Sequence, residues 1–457
     1  MLVSLKDHSL VNALNAFDPD VVAYSTMTPD ERLFRKADGI VRSWMKKTGK
    51  EVPRIMGGPH PTYFNEVLQK MDLDAICVGE GDNAILSIIE RVETGTDFSM
   101  IPNVIPRGGC GLTKEVIDDM DSLPFVDRDL LYSVSPELQA VGIRSFLTQR
   151  GCPYRCTYCF NHAYNRMFRE VRRNIVRRRS VDHLLEEIKY VVKNYPVVRF
   201  IRFADDVFVI RRDAWLEEFA ERYPREIGIP FYCLIRANNL TEEVAQLLSA
   251  AGCRSIGMSI ESGNATVRNE ILKRNMPDEL LMKSFAVARK YGLNTYANTM
   301  MGLPGTTVED DFKSFLFAKR LKPAFPSFGI FAPFPKTELT EFAINRKYLD
   351  RDYDYNTTFS MKSALNSYTE KEKNIQLRLT YLSTLFCSLP DFMIPVLKLL
   401  IRLNLTFLYR LIYNLSETFM QSTRIFPGTY PRNPCYIIKN AWLAIKYDLF
   451  SDKSDLK

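Results

Sequence analysis

The sequence predicts an α/β protein in three stretches: an incomplete doubly wound parallel sheet over residues 1–110, a six-unit partial β/α barrel over 143–335 and a mainly helical region over 336–457. Residues 111–142 read as the linker between the first two. Three observations carry this prediction. Short apolar runs alternate with amphipathic segments through the first two stretches, the pattern of parallel sheets with helices on their faces. Six strand-like runs recur after residue 142, too few for a closed eight-stranded barrel and suited to an open one. Beyond about residue 340 no strand-like run recurs.

In the first stretch, Asp20–Ser25 (DVVAYS), Pro53–Gly57 (PRIMG) and Asp74–Val78 (DAICV) read as strands. Helical patterns follow at about 30–47, 61–71 and 82–93. Open α/β sheets bind ligands at the carboxyl ends of their strands. Those ends carry Ser25 and Thr26, then Gly57, Gly58 and His60, then Gly79, Glu80 and Gly81. Glycine there lets backbone approach a ligand closely, although the same residues also serve as plain tight turns. Asn103–Pro106 is a candidate fourth strand.

The second stretch has strand-like runs near 143–149, 197–204, 230–236, 254–260, 293–301 and 326–332. Its clearest helix has Val181, Leu184, Leu185, Ile188, Val191 and Val192 on one face, with Ser180 as N-cap. The chemistry of such barrels sits in loops at the C-terminal strand ends. The aromatic run Phe325–Pro335 is expected either to line an apolar substrate pocket or to be core. In the third stretch, Asp391–Tyr413 is strongly apolar but interrupted by Lys398, Arg402 and Arg410, so it is not expected to span a membrane. It reads either as a basic amphipathic helix in peripheral membrane contact or as a helical cap on the barrel. The first reading makes a lipid-like substrate an expectation.

With 46% hydrophobic and 25% charged residues, the chain is ordinary for a globular protein, which excludes a largely disordered or fibrous one. A net charge of +7 is modest, and no nucleic-acid partner is expected. Nine unevenly spaced cysteines do not make a disulfide framework. The N-terminus lacks the pattern of a signal peptide. A cytoplasmic protein is expected, whose clustered cysteines bind metal.

The most informative segment is Arg150-Gly-Cys152-Pro-Tyr-Arg-Cys156-Thr-Tyr-Cys159, just after the first barrel strand. Structural zinc is normally closed by four ligands. Three thiolates on a four-iron cluster leave one iron open to chelate a small molecule and pass it an electron. His162 as a fourth ligand would instead make a Cys3His zinc site, although the spacing fits common zinc ribbons poorly.

This C-x3-C-x2-C motif, with the aromatic Tyr158 before its last cysteine, resembles the signature of the radical S-adenosylmethionine (SAM) superfamily. The resemblance implies that Cys152, Cys156 and Cys159 hold a 4Fe-4S cluster. Its open iron would bind SAM, whose reductive cleavage yields a 5′-deoxyadenosyl radical. An external electron donor of flavodoxin or ferredoxin type would serve it. Further barrel segments support the match. Asp205 and Asp206 end the second strand, where carboxylates would meet the SAM ammonium. Ser259 and Glu261 end the fourth, where Glu261 would reach ribose or methionine groups. Lys273, with Arg274 beside it as the alternative, would face the SAM carboxylate. Gly302 and Pro304 belong to the turn whose backbone flanks the adenine in relatives.

The segments YSTMT (24–28), GGPHPT (57–62) and DAICVGEGDNAI (74–85) resemble the flavodoxin-like cobalamin-binding domain fused to one branch of that superfamily. The resemblance implies cobalamin at Ser25, Thr26, Gly57, Gly58, His60, Gly79, Glu80 and Gly81, held against the barrel mouth. No D-x-H-x-x-G motif occurs, so no lower axial histidine is expected. Such domains usually have five strands, so this one is expected to be truncated, with an unpaired sheet edge. The implied reaction is methyl transfer to an unactivated carbon of a small-molecule substrate. Radical cyclisation or rearrangement without methylation is the alternative. A non-catalytic cofactor-binding protein is the third reading, against which the intact cysteine trio argues.

Overall fold

The computed structural model describes residues 7–109, 112–133, 136–195, 197–354 and 362–429. They form two compact units. The first runs to Leu138 and takes in Ala163–Ile175; the second comprises Gln139–His162 and the chain from Val176 on.

The first unit holds β1 (Val22–Ser25), β2 (Arg54–Gly57), β3 (Ala75–Cys77) and β4 (Val104–Pro106), hydrogen-bonded in that order. β1, β2 and β3 are parallel, and β4 runs antiparallel to β3. Ile55, Met56, Ala75 and Ile76 are all buried, because strands covered on both faces read as continuous apolar runs. The helix Glu31–Thr48 ends on Gly49 in the left-handed conformation, which only glycine adopts without cost. On its buried side Asp38 accepts from Arg54 Nη1 at 2.8 Å and from the Tyr24 hydroxyl at 3.0 Å, so a buried charge on β2 is paired as its burial demands. The helix Asp7–Phe17 lays Leu10 and Leu14 against Ala37, Val41 and Trp44.

The second unit contains β5 (Ile143–Phe146), the two-residue strands β6 (Gln149–Arg150) and β7 (Arg177–Arg178), then β8 (Phe200–Phe203), β9 (Phe231–Leu234), β10 (Cys253–Gly257), β11 (Asn294–Met301) and β12 (Phe325–Ile330). β6 and β7 pair as a small antiparallel ribbon. The other six form one parallel sheet in the order β12-β11-β10-β9-β8-β5, and each overlaps one of the six runs read from the sequence. The predicted helix is Val181–Asn194, with the Ser180 hydroxyl accepting from His183 N as N-cap. The outer face of β8 and β9 is an aromatic layer, Phe203 with Phe208, Phe219, Tyr223 and Phe231. On the other face Phe200, Tyr232 and Phe325 meet Met420 and Ile425 from the C-terminal region.

The C-terminal region behaves as a cap where it is described. Helix Glu370–Cys387 carries a capping box at Thr369 and buries Leu377, Leu379 and Leu382. The turn after helix Thr406–Met420 is tied to the starts of β10, β11 and β12. Ser255 Oγ donates to Ile425 O, Asn294 Nδ2 to Arg424 O, and Arg424 Nη1 to Ala324 O. No helix among the described residues is long and apolar enough to cross a membrane. In the run Phe325–Pro335, Phe325, Phe328 and Phe331 are all buried in core, which overturns the substrate-pocket alternative for these three rings. The part of the C-terminal stretch from residue 430 lies outside the described residues.

Candidate active site

The cysteine loop leaves the first barrel strand and is fixed on several sides. Thr157 donates from its amide to Leu272 O at 3.3 Å and from its hydroxyl to Ile271 O at 2.8 Å, while Leu339 N donates to Thr157 O at 2.9 Å. The Tyr154 hydroxyl donates to Asn239 Oδ1 at 2.6 Å. Cys159 N donates to Cys156 O at 3.1 Å, and a helix begins at the next residue, Phe160. None of the three forms a disulfide. Burial pushes Cys152 up to about 11 and Cys159 up to about 12, with the other loop thiols and Asp206 adding to the shift. Without metal these sulfurs therefore hold their protons, which a metal must displace. Arg236 Nη1 lies 3.6 Å from Cys156 Sγ, a cation beside a sulfur that would turn anionic.

His162 does not join the thiols. Its Nε2 lies 2.7 Å from Glu338 Oε1, and the same carboxylate receives Lys273 Nζ at 2.9 Å. The donor set offered by the loop is thus three sulfurs without the imidazole, which fits a four-iron cluster with one open iron and not a Cys3His zinc site.

Beside the loop lies a buried polar chain. The Tyr158 hydroxyl donates to Glu261 Oε1 at 2.7 Å. Arg274 Nη1 contacts the Tyr158 oxygen at 2.7 Å and Glu261 Oε1 at 3.4 Å, and its Nη2 donates to Ser259 O at 2.9 Å. Arg236 in turn donates to Arg274 O. Glu261 sits in the left-handed region at φ 67°, a conformation that costs a non-glycine residue free energy and gathers at functional sites. Backbone bonds hold it there: Glu261 N donates to Asn298 O, and Met300 N to Glu261 O. A π-helical turn at Val267–Ile271 leads into the Arg274 segment, and such turns frequently mark functional sites. Fully buried Arg268 staples it, reaching Ser262 O, Met276 O and Asp278.

This geometry corrects two assignments. Of the basic pair, Arg274 enters the polar chain with 7% of its side chain exposed, whereas Lys273 is 56% exposed and bridges to Glu338. The reason is local. Lys273 is left-handed at φ 52°, and in this turn only Arg274 points inward. Of the acidic pair, Asp205 is not offered to a ligand. Its carboxylate accepts from Thr148 N, Gln149 N and the Thr148 hydroxyl at 2.7, 2.9 and 2.9 Å, bracing the exit of β5. Burial raises its pKa to about 6. Asp206 is exposed and is the carboxylate whose charge reaches Cys152 and Cys159. Arg236 was missed by the sequence reading; its place just beyond β9, at a C-terminal strand end, was the available signal.

Gly302 takes φ +65° at the end of β11 and donates to Asp311 Oδ1 at 2.8 Å. Gln376 Nε2 reaches the other Asp311 oxygen at 2.8 Å, and the Tyr368 hydroxyl donates to Leu303 O at 2.7 Å. The C-terminal helix Glu370–Cys387 thus braces the turn that carries Gly302 and buried Pro304.

In the first unit the strand ends are quieter. Thr26 is buried and its Oγ1 has no hydrogen-bond partner, while Ser25 is exposed beside it. Gly58, at φ +93°, packs so closely that a Cβ would stand 2.9 Å from Thr26 N and O. Gly57 and Gly81 border Cys77 without crowding. Glu80 is used by the fold: Oε2 accepts from Ile117 N, and its carbonyl from Asn103 Nδ2. Two assignments change. His60 is 2% exposed, stacked on Phe64 at 5.0 Å with Nδ1 3.4 Å from Thr28 Oγ1, and burial lowers its pKa. It is a core residue. Gly79 has φ +94°, and its open face is taken by Phe168, whose Cζ would lie 2.3 Å from an added Cβ. The orphan hydroxyl of Thr26 at a strand end is a polar group that a large polar ligand such as cobalamin could satisfy.

Two family models match the chain: the Radical SAM superfamily over residues 146–316 and the B12 binding domain over 3–89. The chain thus carries a radical SAM domain and a B12 binding domain. The first domain implies a 4Fe-4S cluster and SAM, and the second supports cobalamin. An uncharacterised methyltransferase of Pyrococcus horikoshii is 25% identical over 382 residues, 82% of this chain and 80% of the relative. The anaerobic magnesium-protoporphyrin IX monomethyl ester cyclase of Rubrivivax gelatinosus is 23% identical over 355 residues, 74% of this chain and 61% of the relative. Among solved structures, the cobalamin-dependent SAM radical enzyme OxsB, with aqua-cobalamin and SAM bound, shares the fold at TM-score 0.68 and 14% identity, over 99% of this chain and 74% of that one.

Proposed function

We propose that this radical SAM protein is a cobalamin-dependent methyltransferase acting on a small molecule, fed by an external one-electron donor of flavodoxin or ferredoxin type. The observation that carries the reading is the trio Cys152, Cys156 and Cys159 beside the Tyr158–Glu261–Arg274 chain, in a protein that also has a B12 binding domain. When bound, the cluster and cobalamin supply the electron and the methyl group, chemistry that no side chain provides.

The residues contribute binding and orientation. Cys152, Cys156 and Cys159 hold the cluster. Arg236 balances the charge of the Cys156 sulfur, as a cation near a thiolate does. Asp206 offers an exposed carboxylate to the SAM ammonium. Glu261 and the Ser259 carbonyl, pinned by Arg274, orient the sugar and methionine ends. The turn at Gly302 and Pro304 gives backbone groups to the adenine. Thr26, Ser25 and Gly58 meet cobalamin.

The test is an anaerobic assay of reconstituted protein with SAM and reductant, with and without cobalamin. Cobalamin-dependent methylated product supports the reading; deoxyadenosine release with no methylated product favours cyclisation or rearrangement, as the name of the Rubrivivax relative suggests. Cys156→Ala should lose the brown colour and all SAM cleavage, and a coloured, active variant would sink the cluster assignment.

A peripheral membrane contact is the finer reading of the C-terminal cap. Phe392, Leu399, Phe407 and Phe419 are 75%, 59%, 62% and 55% exposed, with Arg402 and Arg410 among them. Apolar rings interleaved with cations suit an anionic lipid surface. Co-sedimentation with phosphatidylglycerol vesicles, lost in Phe392→Ser/Phe407→Ser, checks it; absence of sedimentation refutes it.

A further inference from the structure

One cation inside the barrel has no partner among the described residues. Arg202 stands in register with Ser145 on β5 and Tyr232 on β9, and in-register residues share a face of the sheet. That face is the inner one. Phe200, two residues before it, and Tyr232 belong to the apolar floor closed by Met420 and Ile425, whereas Phe203 points into the outer aromatic layer. Burial raises the pKa of Tyr232 and of Tyr296, and Arg202 is a cation close enough to oppose the rise in both. Yet the guanidinium is exposed, and no described residue gives it a hydrogen bond or an ion pair.

The other arginines of the inner face differ. Arg236 is committed to Cys156 and Arg274, and Arg274 to Tyr158, Glu261 and Ser259. Glu417 on helix Thr406–Met420, an acid beside Tyr296, accepts from Ser327 at 3.1 Å and is bonded to Tyr413. It is not spent on Arg202.

We infer that Arg202 anchors an anionic group of the substrate, a carboxylate, phosphate or phosphonate, inside the barrel. A guanidinium within a partly enclosed barrel is costly unless water or an anion solvates it, and its planar fork of donors matches an oxyanion in two bonds at once. The hydroxyls of Ser145, Tyr232 and Tyr296 share its face. The substrate class is therefore an acid. The inference rests on the barrel being the catalytic unit, and it replaces a purely apolar substrate.

The experiment measures equilibrium binding of phenylphosphonate, benzoate and neutral benzamide to the reconstituted full-length protein and to Arg202→Gln and Arg202→Lys. Expected is saturable binding of one or both acids, at least about tenfold weaker in Arg202→Gln, as losing a hydrogen bond to a charged group implies. Arg202→Lys should retain part of it, SAM affinity should be unchanged in both variants, and benzamide should not bind. Which acid binds tighter separates carboxylate from phosphorus oxyanions. Equal binding by Arg202→Gln, binding of benzamide as tight as that of the acids, or no binding by the parent protein would each overturn the inference. Probe binding needs no turnover. A protein that binds acids through Arg202 but never cleaves SAM would refute the catalytic reading and leave this one standing.

Discussion

The two strand-end regions of this protein are built on opposite plans. At the barrel mouth, ionised and polar side chains are already bonded in a chain: Cys156 to Arg236, Arg236 to the Arg274 carbonyl, and the Arg274 side chain to Tyr158 and Glu261. At the ends of β1, β2 and β3 the contacts run differently. Backbone turns dominate, with the uncharged Thr26 hydroxyl left over and His60 folded into core. A site that must hold a charged cofactor and exclude water is preorganised by side chains. A site that cradles a large, mostly neutral ligand can be made by shape and backbone.

The contrast predicts unequal sensitivity. The largest effect should come from Arg274→Met. It leaves Glu261 buried beside only the Tyr158 hydroxyl, and breaking a buried pair in this way costs about 3–5 kcal/mol. Lys273→Ala, one residue away, removes only an exposed bridge to Glu338, worth at most about 1 kcal/mol. Denaturant unfolding and SAM cleavage of the two variants should therefore diverge. If Lys273→Ala proves the more damaging, the barrel-mouth network has been misassigned.

Next comes Asp205, where the same plan has a pH signature. Its folded pKa is raised from 3.8 to about 6 by burial. The unfolded chain thus releases its proton first, and stability falls as pH rises through that window. The loss is at most about 3 kcal/mol, from about 1.4 kcal/mol per unit. Asp205→Asn keeps an oxygen for the amides of Thr148 and Gln149 and should flatten that fall, so that the variant is the more stable protein above the window. Unfolding midpoints on both sides of the window check it. An unchanged slope would mean that the three hydrogen bonds outweigh burial.

In the first unit the sensitivity should be steric. Gly79→Ala combines a forbidden φ with a Cβ driven into the Phe168 ring, a clash worth about 1–3 kcal/mol. Phe168→Leu should relieve the clash but not the backbone strain, so the double variant should recover only part of the loss. Hydrogen exchange across β3 reads this directly.

The difference in plan also decides what a sequence can reveal. The six barrel strands were legible because parallel strands covered on both faces spell out apolar runs between helices. The cluster loop was legible because three thiols at fixed spacing have few other uses. Arg236 was not, because a single arginine beyond a strand carries no pattern. Neither was the choice between Lys273 and Arg274, or between Asp205 and Asp206. Adjacent residues of like chemistry point to different sides, and the side is set by a left-handed turn and by whose amides need a carboxylate. His60 and Gly79 were read as ligand contacts from their place at strand ends and from the resemblance of their segments, although a histidine and a glycine there serve packing equally well.

Thr26 offers the smallest effect and the sharpest discrimination. A buried hydroxyl without a partner costs about 1–3 kcal/mol of desolvation, so replacing it with the isosteric methyl should not destabilise the fold; Thr26→Val is expected to gain about 1 kcal/mol or less in unfolding free energy. If Thr26 is retained for cobalamin, the same variant should hold the corrin less tightly, which absorbance of the protein after desalting reports. Stability and retention then move in opposite directions, a result that a purely structural threonine cannot give. If retention is unchanged while stability rises, the orphan hydroxyl is a packing defect, and the cobalamin contacts of this sheet lie in its backbone turns alone.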